Sequence, residues 1–299
     1  KHGGAEKSKK LKASISRMKG LTENVENFNP DFVVSFCSPE ASRISFGLGI
    51  YHVVFSDSPH ATAVMKLSLP LVQKLFIPWV IPKEQFTKFG IKKSDIIQYK
   101  AIDAASISKR TIIKKMKLPF DTSKQTILVR IEEGNAAYSK KINLSIPIVK
   151  TLIKRFGDQN IIISCRYSSQ ANLYRRTFGK KVIILTMTYD GKQLLENCNV
   201  FIGSGGTMTA EAALLGIPTI SFNAVPNLIE SFLVKKKLVK RERNPHNIAK
   251  TTERLLLMKT NKKRAESEIS KMEDPFEKLV QVIELRKKQS KKVGKNHSK

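Results

Sequence analysis

One segment restricts the fold more than any other: Asn199-Val-Phe-Ile-Gly-Ser-Gly-Gly-Thr-Met-Thr-Ala-Glu-Ala-Ala-Leu-Leu-Gly-Ile-Pro-Thr-Ile-Ser-Phe222. It reads as strand, glycine-rich turn, helix, tight turn, strand. Two short apolar runs joined through a helix make a βαβ unit, which lays both strands in parallel in one sheet. Gly203, Gly205 and Gly206 let the backbone turn sharply and approach a ligand without Cβ clashes. The helix expected from Thr207 offers unbonded N–H groups and a positive dipole end, which suit a phosphate. The dipole contributes only about 0.3–1 kcal/mol, so Ser204, Thr207 and Thr209 are the candidate hydrogen-bonding partners. Glu211 lies about a turn into the helix; it repels phosphate but accepts hydrogen bonds from ribose hydroxyls. Gly216 stops the helix and Pro218 opens the next strand. Close helix–strand packing alone would also account for the glycines, but not for the acid placed among them.

The same alternation runs through the chain. A helix is expected over 10–28, strands over 33–36, 51–55, 74–77 and 96–99, and helices over 40–48 and 61–69 between them. A short basic helix is expected near 107–117. A second series starts with a strand at 126–130. Ile142, Ile146, Val149, Ile153 and Phe156 then recur at helical spacing, followed by strands at 161–163, 182–185, 199–202 and 219–222. From 226 onward the pattern is helical only. Short apolar strands each followed by a helix predict parallel sheets covered on both faces. The division expected is 1–104, an incomplete parallel-sheet domain; 105–258, a second parallel-sheet domain that carries the glycine turn; and 259–299, a basic helical or disordered tail.

The chain has 299 residues, 41% of them hydrophobic, enough for two buried cores. Lys and Arg number 54 against 25 Asp and Glu, a formal charge of +29. That excess calls for an anionic partner: nucleotide phosphate, nucleic acid or an anionic membrane surface. With 7% aromatics and no RNA-recognition signature, charge alone supports the nucleic-acid reading. Cys37, Cys165 and Cys198 form no CxxC pair and no disulfide framework, so a cytoplasmic setting is expected, at most peripheral at the inner membrane surface. No apolar run reaches membrane-spanning length. There is no Walker A loop, zinc spacing, HExxH or Asp-x-Asp pair, so neither metal nor cofactor is expected.

In open parallel sheets, ligands bind beyond the carboxyl ends of the strands. Arg130 and Arg166 end strands there, and guanidinium forks suit a diphosphate. Tyr167 is placed to stack on a base or to pack, and Asp190 reads as a helix N-cap. In the N-terminal half, Ser38, Glu40 and Arg43 follow the first strand. Asp57 and His60 follow the second, three apart, and supply a candidate general base. Trp79 between Pro78 and Pro82 suits packing.

The Gly203–Glu211 stretch resembles the nucleotide-sugar half of GT-B proteins. It is similar to the non-hydrolysing UDP-N-acetylglucosamine 2-epimerases in its Ser-Gly-Gly turn, and to the cell-wall N-acetylglucosaminyltransferase in its Gly205-to-Glu211 spacing. The whole chain looks like an archaeal family, domain of unknown function 354, through Phe36-Cys-Ser-Pro-Glu-Ala-Ser-Arg43, Ser56-Asp-Ser-Pro-His-Ala61, Ile77-Pro-Trp-Val-Ile-Pro82, Leu128-Val-Arg-Ile-Glu-Glu133 and the glycine turn. The resemblance implies two Rossmann-like parallel-sheet domains facing a cleft. Against it, the family's first β-α unit is expected to be missing, and Ile131 stands where relatives read Pro.

The implied function is a metal-independent glycosyltransferase. A UDP-like sugar would lie at Gly203, Ser204, Gly205, Gly206, Thr207, Thr209, Glu211, Arg130 and Arg166, with His60, Asp57 or Glu40 as acid or base, and an acceptor on an anionic lipid surface. The alternatives are a nucleotide-sugar 2-epimerase, a charge-driven nucleic-acid binder, or an inactive truncated relative. The His-Val-Glu-Ala-Gly stretch of the epimerases is absent.

Overall fold

The computed structural model describes residues 6–112, 115–133, 143–185, 188–258 and 261–296. The chain divides into two compact units, Lys1–Ala101 with Met272–Lys299, and Ile102–Lys271.

The first unit runs α1 (Lys7–Phe28), β1 (Phe32–Ser35), α2 (Pro39–Gly47), β2 (Tyr51–Phe55), α3 (Thr62–Ser68), β3 (Lys74–Pro78), α4 (Glu84–Thr87) and β4 (Ile96–Tyr99). Its four strands pair in sequence order, all parallel. Val53, Val54, Leu75, Phe76 and Ile77 are wholly buried. That explains why these strands are continuous apolar runs rather than alternating ones: neighbours cover both faces. Ser38 caps α2, its Oγ accepting from the Ala41 N–H at 3.2 Å, with Pro39 in the first turn.

The second unit runs α5 (Ala104–Lys109), β5 (Thr126–Arg130), α6 (Ser145–Arg155), β6 (Asn160–Ser164), α7 (Ser168–Phe178), β7 (Ile183–Ile184), α8 (Gly191–Glu196), β8 (Val200–Gly203), α9 (Thr207–Leu214), β9 (Thr219–Ser221), α10 (Leu228–Lys235), β10 (Val239–Arg241), α11 (Pro245–Leu256) and α12 (Lys262–Ile269). The sheet order is β10-β9-β8-β5-β6-β7, all parallel. Ile127, Val129, Ile161, Ile163 and Ile202 pack on one face with Ile148, Val149 and Leu152 of α6. Leu128, Ile162 and Phe201 pack on the other with Leu194, Leu195 and Ala212. The register pairs Val129 with Ile202, Arg130 with Ser164, and Gly203 with Ser221. The carboxyl ends of β5, β6, β8 and β9 therefore finish level.

Three expectations change. Residues 239–241 form a strand where only helix was expected; a three-residue edge strand with one apolar side chain leaves no hydrophobic run to read. The basic helix expected near 107–117 ends at Lys109. There Lys192 Nζ donates to the Ser108 and Arg110 carbonyls, and the Gln193 amide bonds both the N–H and the C=O of Met116. Residues 259–299 do not form one tail. The Asn261 N–H, just before α12, donates to the Gly216 carbonyl at 3.0 Å in the second unit. The final helix α13 (Pro275–Asn296) joins the first, where Lys278 Nζ donates to Gln98 O at 2.8 Å and the Arg286 guanidinium lies 5.2 Å from the Tyr51 ring. Ile142 lies outside the described residues. Among them, no helix is long and apolar enough to cross a membrane.

Candidate functional site

At the end of β8 the chain must turn out of the sheet and straight into α9. A Cβ on Gly203 would collide with Thr209 Oγ1 and lie 2.5 Å from the Phe201 ring, so only glycine fits. Gly205 has φ +96°, the left-handed region that glycine occupies freely. Its N–H donates to Thr209 Oγ1 at 3.2 Å and its carbonyl accepts from Asn227 Nδ2 at 2.9 Å. The Ser204 carbonyl accepts from the Ala224 N–H at 2.9 Å. Both sides of the turn are thus tied to the segment after β9. Gly206 is the N-cap of α9 and carries no side chain to occupy it. The N–H groups of Thr207 and Met208 open the helix with no carbonyl a turn earlier to receive them. Gly206 and Thr207 are exposed and Ser204 is half-buried. Thr209 is buried, and its oxygen closes the turn; it serves the backbone instead of the phosphate for which it was a candidate.

Arg130 ends β5, one residue beyond the Val129–Ile202 pair. Its Nη1 donates to Ser164 Oγ at 2.8 Å and to the Cys165 carbonyl at 3.2 Å. Burial depresses its pKa and the neighbouring Arg166 adds to this, against the pull of Cys165, Glu133 and Glu211. Arg166 Nε lies 3.4 Å from Glu133 Oε2, and the Tyr167 hydroxyl donates to Glu133 Oε1 at 2.8 Å. Burial raises the pKa of Glu211, partly offset by Arg110 and Arg130. Its Oε2 lies 3.6 Å from where a Cβ on Gly191 would sit. Asp190 caps α8, accepting from the Gln193 N–H at 3.1 Å, and pairs with Arg110 Nη2 at 2.7 Å. The structure therefore gathers Gly203, Ser204, Gly205, Gly206, Thr207, Glu211, Arg130 and Arg166 at the carboxyl end of the second sheet.

In the first unit, Asp57 and His60 share the turn after β2. The Ser58 hydroxyl donates to Asp57 Oδ1 at 2.6 Å. Burial lowers the pKa of His60, with Asp57 acting against it. The Cys37 thiol below them is pushed up to about 12 by burial and is inert as a nucleophile at neutral pH. Glu40 is committed elsewhere. It accepts from Ser14 Oγ at 2.8 Å and from Arg17 Nη2 at 2.5 Å, and although burial raises its pKa, Arg17 and Ser14 bring it below the usual range. A carboxylate held in this way is a poor proton acceptor.

Arg110, Glu133 and Asn227 belong to the second-unit site and were not singled out from the sequence. Asn227 had a signal: with Glu230 three residues on, it has the form of a helix start, and its Oδ1 accepts from the Glu230 N–H at 2.8 Å. Arg110 falls inside the basic helix expected near 107–117, where nothing sets it apart from the other basic residues, and had none.

The family described as "Protein of unknown function (DUF354)" matches residues 1–287. An uncharacterized protein of Methanocaldococcus jannaschii, MJ0665, is 31% identical over 256 residues, covering 82% of this chain and 71% of that one. Among solved structures, the UDP-GlcNAc 2-epimerase of Neisseria meningitidis bound to UDP-GlcNAc is similar with TM-score 0.66 at 17% identity, over 91% of this chain and 81% of that one. The M. jannaschii UDP-GlcNAc 2-epimerase in complex with UDP-GlcNAc and UDP gives 0.58 at 16% identity, over 85% and 78%. The glycosyltransferase SnogD of Streptomyces nogalater gives 0.53 at 15%, over 91% and 78%. At such identities the likeness establishes the fold, a GT-B-like α/β architecture with two parallel sheets.

Proposed function

The chain belongs to the DUF354 family, and we propose that its second unit binds a nucleoside-diphosphate sugar, which the protein transfers to an acceptor hydroxyl. The observation that supports this reading is the level ending of β5 and β8, which brings Arg130 to the same end of the sheet as Gly203, where its charge acts on Glu211 of α9. A guanidinium and a helix N-terminus at the same end of a sheet suit a diphosphate.

In this reading the diphosphate takes the N–H groups of Thr207 and Met208, the hydroxyls of Ser204 and Thr207, and the forks of Arg130 and Arg166. Glu211 accepts from the ribose hydroxyls. The buried Asn223 Oδ1 has no hydrogen-bond partner among the described residues; its backbone lies against Gly205, and in this reading it accepts from a sugar hydroxyl. The UDP-GlcNAc named for the structural neighbours favours a uridine nucleotide. His60, kept neutral by burial, takes the acceptor proton with Asp57 beside it. The arginines and the helix stabilise the leaving diphosphate without a metal. The charge of +29 suits an acceptor carried on anionic lipid.

A second reading, C2 epimerisation of the bound sugar, is favoured by the 0.66 TM-score to an epimerase. Incubation with UDP-GlcNAc in heavy water separates the two. Transfer releases UDP only when an acceptor is present, whereas epimerisation places deuterium at C2 with no acceptor. Neither outcome, with intact binding, would leave a nucleotide-sugar binder without these activities.

A further inference from the structure

We infer that Glu133 is a specificity-determining residue of the nucleotide site, admitting a sugar-capped diphosphate and refusing a nucleotide that ends in a bare polyphosphate. This rests on the nucleotide-sugar reading above.

The chain carries more than two cations for each anion, yet this site is balanced. The Arg110–Asp190 and Arg166–Glu133 ion pairs, with Arg130 and Glu211, make three guanidiniums and three carboxylates acting on one another. A site built for long polyanions would hold the arginines without the acids. Glu133 is the acid placed among the phosphate-facing groups. Tyr167 and Arg166 grip its two oxygens at 2.8 and 3.4 Å, and its side chain is only 13% exposed. Held at both oxygens, it stays put while a ligand docks.

In a nucleotide sugar both phosphates are esterified and each carries a single charge. A terminal phosphate carries about 1.5–2 negative charges at pH 7, because its second pKa is near 6. That added charge, lying among Arg130, Arg166 and Glu133, meets the fixed carboxylate; the sugar-capped diphosphate presents none. Two unit charges about 4 Å apart change affinity roughly fivefold in bulk water and by more in a partly buried site, so a change of about tenfold or more is expected. Glu133 also holds the Arg166 fork, so it is a positioning residue as well as a repulsive one.

The test is calorimetric titration of UDP-GlcNAc, UDP and UTP into wild type, Glu133→Gln, Glu133→Asp and Arg166→Met at one ionic strength. Wild type should bind UDP-GlcNAc at least as tightly as UTP. Glu133→Gln should tighten UTP about tenfold while UDP-GlcNAc moves less than threefold. Glu133→Asp should restore the wild-type order, and Arg166→Met, which removes the guanidinium paired with that carboxylate, should weaken UTP more than UDP-GlcNAc. A uniform change across the three ligands in Glu133→Gln, or unchanged UTP affinity, overturns the role of Glu133 alone. Wild type binding none of the three overturns the nucleotide reading and this inference with it.

Discussion

The Gly205 N–H donates to Thr209 Oγ1 at 3.2 Å, so the turn that opens α9 is closed by a side chain of that same helix. Strand, turn and helix are therefore one unit, and damage to the bond should appear in stability and in ligand binding together.

Thr209→Val keeps the shape and removes the acceptor. A buried N–H left unpaired costs about 1–3 kcal/mol, so thermal melting should fall by several degrees, while Thr209→Ser, which keeps the acceptor and loses one buried methyl worth about 0.8 kcal/mol, should fall less. Equal melting of the Val and Ser variants would contradict this.

Glu230 is nearly inaccessible and pairs with Arg241, whose Nε lies 3.0 Å from Oε1. Arg241→Ala leaves that carboxylate buried without its cation and should cost about 3 kcal/mol. Glu230→Gln combined with Arg241→Met should cost less than Arg241→Ala alone. Urea unfolding of the three proteins checks the order.

How much of this was readable beforehand depends on how far each feature rests on local pattern. The strands of both sheets showed as apolar runs because parallel strands are buried on both faces, and Gly203 to Glu211 showed because a turn of this kind needs glycine. The strand Val239–Arg241 did not show, since an edge strand needs almost no apolar side chain. Arg110 and Glu133 gain their meaning from partners 80 and 33 residues away in sequence, Asp190 and Arg166. Glu40 looked like a candidate acid because nothing local announces that Arg17 and Ser14 occupy it.

His52 is wholly buried, and burial lowers its pKa to about 4. The unfolded chain, with a pKa near 6.5, binds the proton first. Stability is therefore full above about pH 6.5 and falls as pH drops towards 4, by up to about 3 kcal/mol. Below that the folded form also protonates and the loss stops. Chemical unfolding at pH 7.5 and pH 4.5 should reveal the loss in wild type and a smaller one in His52→Gln; identical losses would contradict it.

Glu40 gives a second, weaker acid effect. Its folded pKa is depressed, so its contribution is present above about pH 4.3 and is lost as pH falls further. With Arg17 partly exposed, the pair contributes about 1 kcal/mol or less. Arg17→Met should lower stability at pH 7 and leave it unchanged near pH 2.5, as measured by urea unfolding at the two values.

The most direct measure of a diphosphate site at the carboxyl end of the second sheet is the melting temperature of wild type and Arg130→Gln across a titration of UDP-GlcNAc. At one hundred times its dissociation constant a ligand adds about 2.7 kcal/mol. Wild type should therefore melt several degrees higher with the ligand, and Arg130→Gln should show little or none of that rise. No rise in wild type, or the same rise in both proteins, would contradict the site as drawn.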